Sequence, residues 1–539
     1  MTEKKSINIM PKGTYANGIW TGSKIKHQEG HFQLGEKVLN ALKKHPEVIG
    51  QIDGETEEND TFGVLYVKSV RCALWMKNYG INRNDIVGFC SANHMNSCIP
   101  FLATLYIGSI FNPWWNSCLD EELAKYFIEQ TRPKIIFADE ISAKIILKVI
   151  NDVDYNIKII VFGIIPELES FNDILIQVNI NNVQTFECTK INDINESALI
   201  LYTSGTTSNP KGALHSYGSV TSIIGPSTNK SNISLWFSSL CWLSAVISTI
   251  NSILTQSTMI IYDSPSELVA CHLIDKFKIT RLSMGTAVAN RLSKTKEVDN
   301  YDLFSIKFAS FAGSIAKKEV VEFLFKIFKN ATFFTAYGST ECLATGGIVT
   351  LDKPTSCGRI NPNHEIKIID LETNEILGPN KQGEIYCRGS TMMKNYFNNQ
   401  NATSEAIDVH GWYHTGDVGY YDEDGDFFIV ERIKELIKYR LHHVPPTAIE
   451  CVIQDIAGVA EVAVVAKPHI YDQEQPTAFI TKIPGIQITE DEIHEVVKNK
   501  LHDRMKLRGG IYFIDKMPHT TSGKIAKRKL RELVKIQAD

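Results

Sequence analysis

A chain of 539 residues exceeds what one hydrophobic core usually organises and calls for two or more units. Its 43% apolar and 22% charged residues are the proportions of an ordinary soluble globular protein. A formal charge of -5, with acids and bases interspersed, leaves no basic face for nucleic acid. The eleven cysteines are scattered without a CxxC pair and read as reduced thiols in small apolar sites rather than a disulfide framework or a zinc site.

The N-terminal MTEKKSINIMPKG has no signal-peptide apolar core. The most apolar long stretch, 98–111, is interrupted by Pro100, Thr104, Gly108 and Ser109. It is too short and too broken to span a bilayer and predicts a buried helix. Helical periodicity over 121–130 and 141–149 alternates with the β-branched runs KIIFAD at 134–139, IKIIVFG at 157–163 and TMIIYD at 258–263. That alternation predicts an α/β fold with mostly parallel sheet. Hairpin-like material follows at 383–389 and 420–430, where a DEDG turn separates two strand-like runs. A boundary is expected at Val430–Glu431, giving a large unit over 1–430 and a small one over 431–539. In the small unit, strands are expected at 459–467 and 477–482. A helix is expected over 490–501, with Thr489 and Glu492 as a capping box and Ile493, Val496, Val497 and Leu501 on one face.

The stretch with the most chemistry is YTSGTTSNPKGA at 202–213. Directly after the apolar run Ala198–Leu201, it gathers hydroxyls, small residues and one lysine. Such a loop can wrap a polyphosphate with backbone N–H groups, hydroxyls and a cation. Its spacing is not that of a Walker P-loop. Further motifs follow in order: YGSTE at 337–341, GWYHTGD at 411–417, ERIKELIKYR at 431–440 and TSGKIAKRKL at 521–530. Together they resemble the adenylate-forming superfamily, which includes acyl-CoA synthetases, 4-coumarate-CoA ligases and beetle luciferases. KLRGGIYFID at 506–515 resembles the insect luciferase-like branch in particular.

The resemblance implies a large multi-sheet adenylation domain with a small mobile α+β lid. It assigns Thr203, Ser204, Gly205, Thr206, Thr207, Pro210 and Lys211 to the phosphates of ATP. Ala312 and Gly313 lie under adenine, with Phe311 in place of a family glycine making that wall bulkier. The resemblance implies that Tyr337 packs on adenine, that Gly338 belongs to the nucleotide site, that Thr340 reaches the α-phosphate and that Glu341 holds Mg2+. Asp417 accepts from the ribose hydroxyls, and Arg432 reaches the ribose or phosphate region. His414 reads as a packed neighbour. Lys524 enters the site on the lid during adenylation, Lys438 serves the second step from the other lid face, and Glu431 stands at the hinge. Lys527, Arg528 and Lys529 read as a solvated helix face.

Two departures bear on function. Trp242 and Ser244 replace a luciferase histidine and phenylalanine; with Thr345 they are assigned to the acid pocket, a structural role for Trp242 remaining open. On the CoA side, Arg440, Leu441 and His442 lie where relatives carry a glycine, the position of Leu441. The leading expectation is an ATP- and Mg2+-dependent carboxylate-CoA ligase for an apolar, fatty or arylaliphatic acid, with CoA as co-substrate. The alternative is a luciferase that adenylates a luciferin and oxidises it with O2; a third possibility is a non-catalytic adenylate-binding homologue. The chain end KIQAD is not an SKL-type peroxisomal signal, so a cytoplasmic monomer is expected.

Overall fold

The computed structural model describes residues 13–536 except 27–29, 31, 151, 153–155, 204–208, 225–231, 264–265, 315, 441 and 520–524. The described residues form a large α/β domain of three mixed or antiparallel sheets and a smaller C-terminal α+β domain. No helix among them is long and apolar enough to cross a membrane.

In the first large sheet the strands Ser197–Thr203, Ile110–Pro113, Ile86–Cys90, Ile135–Ala138, Lys158–Val161 and Glu169–Ser170 run parallel. Lys211–Ser216 and Asn395–Tyr396 add antiparallel strands at the other edge. The apolar run IIFA is buried on both faces, as a helix-covered parallel strand requires. The interrupted segment at 98–111 is the buried helix Cys98–Ile107. It stops at Gly108, which takes the left-handed backbone (φ +75°), and the chain continues as the strand Ile110–Pro113.

The second sheet has a parallel core of Ile49–Asp53, Thr258–Ile261, Ile233–Trp236, Arg281–Gly285, Phe308–Ala312 and Thr332–Gly338. One face is covered by the helices Glu267–Phe277, Thr286–Leu292 and Lys318–Ile327, packed on Leu282, Ala309, Phe311 and Phe333. The opposite face stays half open: Arg281–Gly285 and Phe308–Ala312 alternate between buried and accessible residues and end exposed. An uncovered face on a parallel sheet is a cleft, and here it opens at the carboxyl ends of the strands.

A third, antiparallel sheet carries the hairpin Tyr413–Tyr421 and Phe427–Arg432. The hairpin continues past Val430: Glu431 and Arg432 still pair with Val418 and Asp417. The C-terminal domain packs the helices Pro446–Gln454 and Glu490–Lys500 around Ile449, Val462, Val464, Ile480 and Ile493. The helix Lys527–Ile536 covers the other sheet face through Leu530 and Val534 against Ala463, Val465 and Phe479. The Thr489–Glu492 capping box is formed, and such a cap contributes about 1 kcal/mol.

Candidate active site

Thr203 ends its strand directly opposite Lys211, in antiparallel register. The two strand ends therefore present a hydroxyl and an ammonium side by side. Ser204, Gly205, Thr206 and Thr207 lie outside the described residues. The Pro210 carbonyl accepts from the Tyr126 hydroxyl at 2.7 Å, which fixes the downstream end.

YGSTE begins at the carboxyl end of Thr332–Gly338 and turns sharply. A Cβ on Gly338 would stand 2.4 Å from the Cys342 carbonyl oxygen, so only glycine fits. The Thr340 carbonyl lies 2.8 Å from Nε2 of His215, whose Nδ1 is 3.1 Å from the Ser219 hydroxyl. Burial lowers the His215 pKa, so the ring works as a neutral hydrogen-bonding post.

Tyr337 donates its hydroxyl to Asp417 Oδ2 at 2.9 Å, and Arg432 Nε stands 3.1 Å from Asp417 Oδ1. Burial of the hydroxyl, then the Asp417 charge, pushes the Tyr337 phenol well above its ordinary range, which keeps it a donor. A carboxylate fixed in this way suits the expectation that Asp417 accepts from the ribose hydroxyls.

Glu341 is buried, and among the described residues no lysine or arginine lies within ion-pair distance of it. Its Oε1 accepts the Tyr396 hydroxyl at 2.7 Å. The Tyr396 ring carries the Lys211 ammonium at 5.0 Å from its centre. A buried carboxylate without a cationic partner is costly unless a cation arrives, and a hard divalent ion with oxygen ligands suits it. The residues present thus fit the Mg2+ that the sequence resemblance implies. The described acidic group Asp422, Asp424 and Asp426 is different, because the Lys353 ammonium already contacts all three at 2.6–2.8 Å.

Ala312 and Gly313 are exposed at the cleft, and Gly313 adopts φ +101°. Phe311 does not thicken this wall as expected. Strand alternation turns it into the core beside Phe333, away from the cleft. Trp242 caps the helix Leu243–Leu254 and stacks on Trp115 with centroids 6.3 Å apart and planes at 17°. Ser244 is exposed, with its hydroxyl 2.8 Å from that of Ser238. Thr345 is fully buried and donates to the Cys357 carbonyl at 2.8 Å, so its hydroxyl is engaged within the fold. The cleft floor adds residues that the sequence did not single out. Ser283 and Ser310 are register partners on neighbouring strands, with hydroxyls 2.9 Å apart.

In the smaller domain Lys438 is exposed, and its backbone N–H donates to Glu474. Arg440 takes a left-handed backbone (φ +46°) at the tip of the hairpin Ile437–Tyr439 and His442–Val444. Its guanidinium is engaged by Asp472 at 2.5 Å. His442 pairs with Tyr439 and is exposed; Leu441 and Lys524 lie outside the described residues. Glu431 accepts the Thr447 N–H at 3.0 Å and its hydroxyl at 2.5 Å, tying the end of the third sheet to the first turn of Pro446–Gln454. Lys527 is not on a solvated face: its side chain turns inward to Glu450 at 2.7 Å. His414 stacks on Tyr386 at 4.0 Å, as a packed neighbour should.

Sequence inspection missed Tyr396, His215 and the Ser283–Ser310 pair. For Tyr396 the available signal was its place in KNYFNN, a turn-flanked aromatic after the strand-like run 383–389.

The model of the AMP-binding enzyme family matches residues 38–397, and that of the AMP-binding enzyme C-terminal domain matches residues 448–524. The chain is 28% identical over 518 residues to a luciferin 4-monooxygenase of Photuris pensylvanica, covering 93% of this chain and 95% of that protein. It is 30% identical over 509 residues to a 4-coumarate--CoA ligase of Vanilla planifolia, covering 89% of each. Among solved structures, the luciferase-like enzyme from the nonluminescent Zophobas morio mealworm superposes with a TM-score of 0.70 at 28% identity, covering 78% of this chain and 100% of that one.

Proposed function

The chain belongs to the AMP-binding enzyme family and is an ATP-dependent adenylate-forming enzyme, and we propose that it activates an aryl-bearing carboxylic acid as its acyl-adenylate. One observation carries this reading: a buried Glu341, which makes no ion pair among the described residues, stands one aromatic ring away from Lys211. In the proposed step a carboxylate oxygen of the acid bonds to the α-phosphorus of ATP, and the bond from that phosphorus to the bridging oxygen breaks, releasing pyrophosphate. Lys211 and Thr203 hold the departing phosphates, and Thr340 contacts the α-phosphate. Tyr337, Asp417 and Arg432 hold the nucleoside. Glu341 would hold Mg2+, which neutralises charge on the phosphate oxygens. Residues 431–539 act as the lid, bringing Lys524 for this step and Lys438 for the next.

For the fate of the adenylate, we place reaction with oxygen first and transfer to CoA second. The likeness to luciferin 4-monooxygenases over nearly the whole chain supports the former. The likeness to a 4-coumarate--CoA ligase keeps the latter, and the nonluminescent luciferase-like enzyme shows that such likeness does not require light. The Ser283–Ser310 hydroxyls on the cleft floor suit an acid with a hydrogen-bonding group better than a plain alkyl chain. The experiment is incubation with ATP, Mg2+ and a panel of aryl acids including a luciferin, with and without CoA and oxygen, followed by mass spectrometry and photon counting. Oxygen-dependent consumption of the adenylate supports the first fate. Quantitative acyl-CoA formation with no oxygen dependence overturns it in favour of the second.

A further inference from the structure

Tyr396 stands between two groups of opposite charge that do different jobs. Its hydroxyl donates to Glu341 Oε1 at 2.7 Å, and its ring faces the Lys211 ammonium at 5.0 Å. The ring is held firmly. Its strand, Asn395–Tyr396, pairs with Ala213 and Leu214, just beyond Lys211. Its N–H donates to the Thr403 hydroxyl at 3.0 Å, and the residue is only 6% exposed.

We propose that Tyr396 is a positioning residue that tethers the magnesium carboxylate and keeps it apart from the phosphate lysine. A half-buried ammonium and a buried carboxylate free to approach each other form an ion pair, which removes both from ligand binding. The ring prevents that collapse while giving the ammonium a favourable face, and the hydroxyl fixes one carboxylate oxygen by a charge-assisted bond. The two edges of the same side chain thus set the metal side and the phosphate side of the site together. The proposal rests on the assignment of Glu341 to Mg2+ and Lys211 to phosphate.

The test is ATP binding by calorimetry across a Mg2+ titration, which needs no acid substrate. Wild-type protein should bind ATP more tightly as Mg2+ rises; absence of that dependence defeats the underlying assignment itself. Tyr396→Phe keeps the ring and loses the tether, so its Mg2+ half-saturation should rise about 10-fold while ATP affinity at saturating Mg2+ stays near wild type. Tyr396→Leu loses ring and tether, so both quantities should worsen. Thermal melting of both variants confirms that they are folded. A Mg2+-dependent wild type alongside a Tyr396→Phe variant with unchanged half-saturation overturns the positioning role and leaves the assignment of the site intact.

Discussion

Asp417 is a buried carboxylate whose two oxygens are engaged by Tyr337 and Arg432, which fixes the group in place. On its proposed assignment to the ribose, wild-type enzyme discriminates ATP from 2′-deoxy-ATP. Asp417→Ala should raise KM for ATP by about 10- to 100-fold, the worth of a hydrogen bond to a charged group, and should abolish the discrimination. Steady-state pyrophosphate release with the two nucleotides measures both, and retained discrimination in the variant would remove Asp417 from ribose binding. A second residue-scale expectation concerns pH. Burial pulls the His94 pKa down to about 4, against the opposing pull of Asp139 and Glu140. Its ordinary value is about 6.5, so the unfolded chain binds its proton first as pH falls. The stability that comes from keeping this ring neutral is complete above about pH 6.5 and is lost progressively towards pH 4. Melting temperatures should therefore fall more steeply over that window in wild type than in His94→Asn; parallel slopes would show that His94 does not contribute. Glu341, Asp417 and Lys211 stood out in sequence because they sit in motifs whose residue types carry their own reasons. Their partners did not. Tyr396 is 55 positions from Glu341 and Tyr337 is 80 from Asp417, and only folding brings such pairs together.

At the scale of elements, strand alternation decides what a residue can do. Phe311 looked like bulk at the adenine wall, yet the period of two sends it into the core and leaves Ser310 and Ala312 on the cleft. Lys527 looked solvated among basic neighbours, yet the helix face it occupies packs against the sheet and pairs it with Glu450. These were illegible because a sequence shows periodicity but not which face meets a partner. Elements legible in advance were those with local causes: the capped helix at 490, the buried helix at 98 and the alternating α/β order. The smaller domain's two lysine-bearing segments yield a paired expectation. Lys524→Ala should depress adenylate formation by about 100-fold, the scale of losing one charge-stabilising group. Lys438→Ala should spare that step and slow consumption of purified adenylate. Single-turnover assays of each half-reaction decide this, and the opposite pattern would exchange the two assignments.

For the whole molecule, the cleft, the Thr203–Lys211 strand ends and the Asp417–Arg432 pair come from three different sheets. The smaller domain touches the larger through Lys294, which donates to the Ala460 carbonyl at 2.7 Å, and Lys317, which reaches the Cys451 carbonyl. A lid that turns between half-reactions must break and remake contacts of this kind. The proposal that this assembly couples ATP to a carboxylic acid, with Glu341 as the residue that would hold Mg2+, is tested most directly by acid-dependent ATP–pyrophosphate exchange. Wild-type protein and Glu341→Gln should be compared over the same panel of aryl and alkyl acids in Mg2+. The expected result is exchange that depends on an added aryl acid in the wild type and falls by about 100-fold in the variant. No acid-dependent exchange by the wild type with any acid in the panel, or undiminished exchange by Glu341→Gln, would contradict it.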